Sequence, residues 1–194
     1  MIRAIFLDVD GTLISFSTHE IPASARRALT QAHERGVRLF IATGRAANDL
    51  GPLEGIPYDG VVSLNGARCV ANDGRVVSLH PIPRADFERA LALSEEQDFA
   101  MGLELEEGVF VNRVTPDVKR LAHMVAHPVP EQTDLRELFG RVECCQLCFY
   151  FDAETQRRVM AELPTLVASR WCPIFADVNV AGIDKATGME EFMR

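Results

Sequence analysis

Three short apolar segments near the start of the chain constrain its fold more than any other feature. Residues 2–9 (I-R-A-I-F-L-D-V), 37–42 (V-R-L-F-I-A) and 60–64 (G-V-V-S-L) have the nearly continuous hydrophobicity of strands that are buried on both faces of a parallel sheet. Residues 21–35, between the first two, carry apolar side chains at helical spacing, and Gly36 follows where a helix commonly ends. This order of strand, helix, strand and strand predicts an α/β fold with a parallel sheet.

The pattern changes after residue 65. The sequence N-D-G at 72–74 lies between two β-prone pieces and predicts a hairpin, and helical and strand-like segments then follow without the regular alternation of the first part. Prolines at 81 and 83 mark a boundary. We therefore predict a core formed by 1–80 and 173–194, with an α+β domain inserted over 81–172. In this prediction residues 173–180 form the strand that returns to the core sheet.

Composition and charge exclude several classes of protein. The 194 residues include 20 Lys and Arg against 28 Asp and Glu, which gives a net charge of −8 without a basic cluster that would bind nucleic acid or an anionic membrane. No apolar stretch approaches the ~20 residues of a membrane span, and the N-terminus does not resemble a signal peptide. Five cysteines, an odd number, are typical of a reduced protein. We expect a cytoplasmic location.

The motif D-V-D-G-T at 8–12 carries the strongest chemical signal. It follows the first predicted strand directly, at the edge of the sheet where α/β proteins bind ligands. Gly11 permits a sharp turn, and Thr12 offers a hydroxyl and an amide to an anion. Repulsion between Asp8 and Asp10 favours a bound divalent cation. The D-x-D motif of sugar-nucleotide transferases is an alternative, but it lies well inside longer chains.

Other polar residues are predicted to reach the same edge. The sequence T-G-R at 43–45 ends the second strand, and Asn65 followed by Gly66 ends the third, although that pair is equally typical of a plain turn. Lys185 opens a predicted helix within A-G-I-D-K-A-T-G at 181–188. We therefore predict a phosphate-sized pocket, which is formed by a hydroxyl, a glycine, a cation and the paired carboxylates.

In this order and spacing the motifs resemble the haloacid dehalogenase (HAD) superfamily of phosphatases, and most closely its Cof-like branch. The resemblance implies a Rossmann-like parallel-sheet core with an inserted α+β cap domain. It also implies Mg²⁺-dependent hydrolysis of a small phosphorylated metabolite, with sugar phosphates as the expected class. Phosphoryl transfer of the mutase type, or binding of a phosphometabolite or partner without catalysis, remain as alternatives.

The resemblance also implies roles for individual residues. Asp8 is the expected nucleophile, which forms an aspartyl-phosphate, and Asp10 is the expected general acid and base. Both are expected to bind Mg²⁺, Asp8 through its carboxylate and Asp10 through its backbone carbonyl. The residues expected to hold the phosphoryl group are Thr43, Gly44 and Lys185, and those expected on the side facing the cap are Arg45 and Asn65.

One departure from the family pattern affects the expected activity. Members continue beyond the lysine into a further strand and an acidic loop of the type G-D-x-x-N-D, whereas this sequence ends at Arg194, and neither Asp177 nor Asp184 matches that loop. The resemblance therefore implies weak Mg²⁺ binding and low phosphatase activity for these 194 residues. It also implies that the first strand lies at an exposed sheet edge, through which the chain could self-associate.

A cysteine-based motif points away from a metal site. Cys145 and Cys148 have C-x-x-C spacing, but a zinc knuckle needs a second pair, and on a strand these two side chains face opposite sides. The sequence therefore predicts buried apolar thiols in the cap sheet. Glu104, Glu106 and Glu107, near the predicted cap hairpin, either face solvent or screen substrates, and the sequence does not decide between the two.

Overall fold

A computed structural model describes residues 2–15, 18 and 20–194; Met1, which belongs to the predicted core, and residues 16, 17 and 19 lie outside the described residues. The chain divides into two compact units. The first comprises the described residues up to Leu79 together with Ile183–Arg194, and the second is His80–Gly182.

The helices and strands are numbered in chain order. The strands are β1 (Ala4–Leu7), β2 (Arg38–Ala42), β3 (Gly60–Ser63), β4 (Arg68–Ala71), β5 (Val76–Leu79), β6 (Ala100–Leu105), β7 (Gly108–Val111), β8 (Glu131–Gln132), β9 (Gln146–Tyr150), β10 (Leu166–Cys172) and β11 (Phe175–Val180). The helices are α1 (Ala23–Glu34), α2 (Arg84–Glu96), α3 (Pro116–Met124), α4 (Leu135–Phe139), α5 (Ala153–Ala161) and α6 (Lys185–Met193). Within the described part of the chain, none of these helices has the length and hydrophobicity that crossing a bilayer requires.

The first unit is an α/β sandwich, as the sequence predicts. Its sheet has the order β1-β2-β3-β4-β5, in which β1, β2 and β3 are parallel and the hairpin β4–β5 is antiparallel. Leu29 of α1 packs with Leu39 and Ile41 on one face of the sheet. Helix α6 packs on the other face, where the ring of Phe192 lies 4.7 Å from that of Phe40. Helices on both faces explain why β2 is almost entirely buried.

The second unit is an α+β domain built on a sheet of mixed direction. Its strand order is β10-β11-β9-β6-β7-β8, and the pairs are antiparallel except β7 with β8. Residues such as Leu103 and Phe149 belong to one apolar core, which also contains Phe87 of α2. Their strand neighbours on the opposite face, including Cys148, belong to another core with Val118 of α3. The structure thus confirms the α+β class of the insertion.

The prediction that residues 173–180 return to the core sheet is wrong. Residues 175–180 do form a strand, β11, but it pairs antiparallel with β9 and β10 of the second unit. Ala176 and Val178 are buried in the core of that unit. The chain therefore returns to the first unit at Ile183, ten residues later than the predicted 173, whereas the earlier boundary lies at 79/80 beside the predicted 80/81.

Candidate active site

The turn after β1 is held by backbone hydrogen bonds. The carbonyl oxygen of Val9 accepts from the amides of Leu13 and Ile14 at 3.0 and 2.9 Å, and the amide of Gly11 donates to the carbonyl of Ile14 at 2.9 Å. Gly11 has a φ of 77°, a conformation that glycine adopts at little cost. Asp8 and Asp10 therefore project from a tight loop at the carboxyl end of β1, as the D-V-D-G-T motif predicts.

Asp8 is held by two donors. The Nζ atom of Lys185 lies 2.5 Å from its Oδ1, and the Thr12 hydroxyl donates to its Oδ2 at 3.2 Å. The Asp8 and Lys185 side chains are 39% and 35% exposed, so the pair remains accessible to a ligand from solvent. The fold thus brings together a carboxylate and an ammonium group that are 177 residues apart in the sequence.

Lys185 is positioned by the start of α6. Asp184 is the N-cap: its carboxylate accepts from the amide of Thr187 at 2.8 Å, and the Thr187 hydroxyl accepts from the amide of Asp184 at 2.9 Å. This reciprocal pair is a capping box, which anchors the first turn of a helix. The loop after β3 packs directly on that turn, since a Cβ atom on Gly66 would lie 1.9 Å from the Asp184 carbonyl oxygen.

Arg45 binds Asp10 through two parallel hydrogen bonds. Its Nε donates to Asp10 Oδ2 at 2.9 Å and its NH2 donates to Oδ1 at 2.8 Å, while NH1 contacts the Asp49 carboxylate at 3.3 Å. The hydrogen bond to Asp10 raises the pKa of the Arg45 guanidinium. A planar guanidinium is the side chain that best fits a carboxylate in this way. The sequence predicts neither this pairing nor Asp49, because residues 45–49 form no helix on which i,i+4 spacing would bring the two side chains together.

The remaining predicted residues lie at the ends of β2 and β3. Thr43 is buried, and its hydroxyl accepts from the amide of Arg45 at 3.1 Å. The amide of Asn65 donates to the Thr43 carbonyl at 3.0 Å, and a Cβ on Gly44 would lie 3.2 Å from Asn65 Oδ1. Because Leu7 pairs with Ile41 in the parallel register, Asp8 follows β1 at the level of Ala42, one residue before Thr43. All seven predicted residues are therefore grouped at one edge of the first sheet.

The donor atoms at this edge suit a hard divalent cation. The carboxylates of Asp8 and Asp10 are partly exposed, and the resemblance implies the Asp10 backbone carbonyl as a further oxygen ligand. Mg²⁺ prefers oxygen ligands, and an ionised carboxylate has about four lone-pair sites, so the hydrogen bonds from Lys185, Thr12 and Arg45 leave acceptor capacity on both side chains. These residues fit Mg²⁺.

Known proteins share this architecture. The model of the haloacid dehalogenase-like hydrolase family matches residues 5–194. The solved structure of the phosphatase BT1666 from Bacteroides thetaiotaomicron is 55% identical, with a TM-score of 0.94 over 99% of this chain and 72% of that chain. The subclass IIB sugar phosphatase BT4131 is 30% identical, with a TM-score of 0.87 over 99% of this chain and 75% of that chain.

A curated relative extends the same picture. YkrA of Bacillus subtilis (strain 168), which carries a provisional phosphatase name, is 26% identical over 195 residues, which are 97% of this chain and 72% of the relative. The chain belongs to the haloacid dehalogenase-like hydrolase family. It is therefore an enzyme of the HAD type, among relatives that are named as phosphatases, and the resemblance inferred from the sequence motifs is confirmed.

Proposed function

We propose that this chain hydrolyses small phosphate monoesters, with sugar phosphates as the preferred class, through an aspartyl-phosphate on Asp8. The observation that carries the proposal is the pair formed by the Asp8 carboxylate and the Lys185 ammonium, 2.5 Å apart at the ligand-binding edge of a parallel sheet. The sugar phosphatase among its structural neighbours supports the choice of substrate class.

The chemistry follows from the positions of these groups. An oxygen of Asp8 attacks phosphorus as the ester P–O bond breaks, and water then attacks the phosphorus of the aspartyl-phosphate, releasing inorganic phosphate and regenerating the carboxylate. Lys185 and the Thr12 hydroxyl stabilise the negative charge of the phosphoryl group as it approaches Asp8. Mg²⁺ held by Asp8 and the Asp10 carbonyl supplies further charge neutralisation when it is bound.

Asp10 moves the protons in this scheme. Two residues beyond the nucleophile, it gives a proton to the leaving alkoxide in the first step and takes one from the attacking water in the second. Arg45 acts as a positioning residue, because its two hydrogen bonds hold the Asp10 carboxylate in one orientation. Thr43, Gly44 and Asn65 lie in the neighbouring loops, where the Thr43 hydroxyl, which accepts from the Arg45 amide, keeps its own proton to donate to a phosphoryl oxygen.

A direct test measures phosphate release from a panel of sugar phosphates in ¹⁸O-labelled water. We expect Mg²⁺-dependent release of phosphate that carries one solvent oxygen. When EDTA removes the metal, the rate should fall to that of the blank, because the site then has too little positive charge to offset its carboxylates and the substrate. Transfer of the phosphoryl group to a second sugar would instead identify a phosphotransferase. Release that is insensitive to EDTA would contradict the Mg²⁺ site.

Arg45→Lys tests the positioning of Asp10. Lysine keeps the charge but has no planar fork, so we expect kcat to fall by about tenfold to a hundredfold while KM changes little. Arg26→Lys is the matched control, because Arg26 also makes a forked contact, to the carbonyl oxygens of Glu54 and Pro52. Equal effects of the two substitutions on kcat, measured with Mg²⁺ saturating, would show that Arg45 has only a structural role.

Two further expectations stay predictions. Self-association through β1 is consistent with the position of that strand at one end of the five-stranded sheet among the described residues. The cytoplasmic location is consistent with five buried cysteines that form no disulfide bond.

A further inference from the structure

A polar cluster, mostly buried, lies on the second unit's sheet and includes none of the residues assigned above. We call it the three-strand cluster: Glu104 on β6, Gln146 and Cys148 on β9, and Asp177 and Asn179 on β11. The strand register pairs Glu104 with Gln146 and Cys148 with Asp177, so these side chains are neighbours across adjacent strands. The predicted buried thiol in the cap sheet is confirmed for Cys148, which belongs to an apolar core, and its Sγ also contacts Glu104.

Three atoms of the cluster are spaced like ligands of one metal ion. A carboxylate oxygen of Glu104, Sγ of Cys148 and a carboxylate oxygen of Asp177 all lie within 4.8 Å of one another, and Sγ is 3.6 Å from Glu104 Oε2. Zinc lies about 2.3 Å from sulfur and about 2.0–2.2 Å from a carboxylate oxygen, so a tetrahedral ion separates these ligands by roughly 3.5 Å. The observed sulfur–oxygen distance matches that edge.

The carboxylates also have the outer hydrogen-bond partners that metal-binding carboxylates commonly show. Nε2 of Gln146 donates to Glu104 Oε2 at 2.7 Å and to Asp177 Oδ1 at 3.3 Å. The amide of Asn179 donates to Oε1 of Gln146 at 3.1 Å, which sets the orientation of the Gln146 amide. Such partners fix the direction in which a ligand's remaining lone pairs point, and they strengthen metal binding.

Burial makes the arrangement different from an acidic surface patch. Cys148 is 1% exposed, Asp177 is 8% exposed and Gln146 is fully buried. Two carboxylates side by side in a medium of low dielectric repel each other, whereas a divalent cation between them is attracted to both. Burial, followed by the charges of Glu104 and Asp177, raises the pKa of the Cys148 thiol well above its usual range. A metal that binds sulfur strongly must therefore displace the thiol proton.

We propose that Glu104, Cys148 and Asp177 form a binding site for a thiophilic divalent cation of the Zn²⁺ or Cd²⁺ class. Binding forms a metal–Sγ bond and two metal–oxygen bonds, and the thiol proton leaves to solvent. Three protein ligands leave a fourth position of the ion open to water or another ligand. The thiolate ligand gives this site a different metal preference from the oxygen-only site at Asp8 and Asp10, because Mg²⁺ does not favour sulfur.

The test titrates the reduced, metal-free protein with Cd²⁺ and follows the ultraviolet charge-transfer band of a cadmium–thiolate bond. We expect the band to saturate at one equivalent, to survive a large excess of Mg²⁺, and to disappear in Cys148→Ser. Cys144→Ser is the matched control, because Cys144 is an equally buried thiol in the same unit, packed in the other core. Asp8→Asn should also keep the band, because it alters only the oxygen-ligand site.

Asp177→Asn provides an independent arm that keeps the thiol. Loss of one charged ligand should raise the Cd²⁺ concentration at half-saturation by about tenfold or more, with an unchanged far-ultraviolet circular dichroism spectrum. Three results would each overturn the proposal: no band in the unsubstituted protein, a band of full size in folded Cys148→Ser, or an unchanged half-saturation in Asp177→Asn. Competition by Mg²⁺ would also overturn it, because the site would then not depend on sulfur.

Discussion

Asp8→Asn is expected to abolish hydrolysis of phosphate monoesters, lowering kcat by about 10⁴-fold or more, the scale on which removal of a nucleophile acts. Asparagine has nearly the shape of aspartate, so the turn after β1 should persist. Its amide nitrogen is not a nucleophile, and its amide oxygen carries no full negative charge to attack phosphorus or to attract Lys185. The loss should therefore appear in kcat rather than in folding.

Two measurements check this result. Steady-state release of phosphate from a sugar phosphate gives the change in kcat, and mass spectrometry of rapidly quenched protein locates the covalent phosphoryl group, which should be on Asp8 and absent from Asp8→Asn. Asp73→Asn serves as the control: Asp73 is an exposed carboxylate in the β4–β5 turn that accepts a hydrogen bond from the Arg75 amide. An adduct on any other residue, or turnover by Asp8→Asn at the normal rate, would remove the basis of the mechanism.

Gly66→Ala should destabilise the first unit by at least about 3 kcal/mol, because steric overlap and backbone strain act together. Gly66 has a φ of +99°, and its new Cβ would lie 1.9 Å from the carbonyl oxygen of Asp184 and 3.2 Å from the amide nitrogen of Lys185. Both are backbone atoms, which cannot move aside as a flexible side chain would. Relief of the overlap requires the loop after β3 or the start of α6 to shift, and we expect that shift to disturb the contact between Lys185 and Asp8.

Gly74→Ala separates these two causes. Gly74 has a φ of +83°, but nothing lies within 4 Å of the position its Cβ would take, so only the conformational penalty of about 1–2 kcal/mol applies. Urea denaturation should show a clearly lower midpoint for Gly66→Ala than for Gly74→Ala, and only the former should lower phosphatase activity under conditions where both are folded. Equal midpoints would mean that the loop after β3 does not press on the start of α6.

The role of Gly66 shows how far a motif can be interpreted alone. From the sequence, Asn65 and Gly66 are equally typical of a ligand-binding loop and of a plain turn. The structure adds a contact that neither interpretation contains, between this turn and the capping box that begins 118 residues later at Asp184. A glycine that is required for close packing and a glycine that is required for a turn look the same in the sequence. The local sequence pattern therefore cannot distinguish them.

Asp10 and Arg45 illustrate the same limit in the site itself. The sequence indicates that both lie at strand ends on one edge of the sheet, since parallel strands deliver their carboxyl ends there. It does not indicate that the guanidinium bonds both carboxylate oxygens, because that depends on the side-chain directions of two separate loops. The ion pair between Asp8 and Lys185 could be predicted only through the resemblance to a known family.

The sequence by itself determined the α/β class of the first unit, the strand ends that carry D-V-D-G-T, T-G-R and N-G, and the family. These features follow from local hydrophobic periodicity and from the shared direction of parallel strands. Only the tertiary structure decided that 175–180 joins the second sheet, and that Glu104, Cys148 and Asp177 meet there. The physical reason is that alternation along a strand specifies which residues share a face, whereas the choice of partner strand depends on the packing of segments distant in the chain.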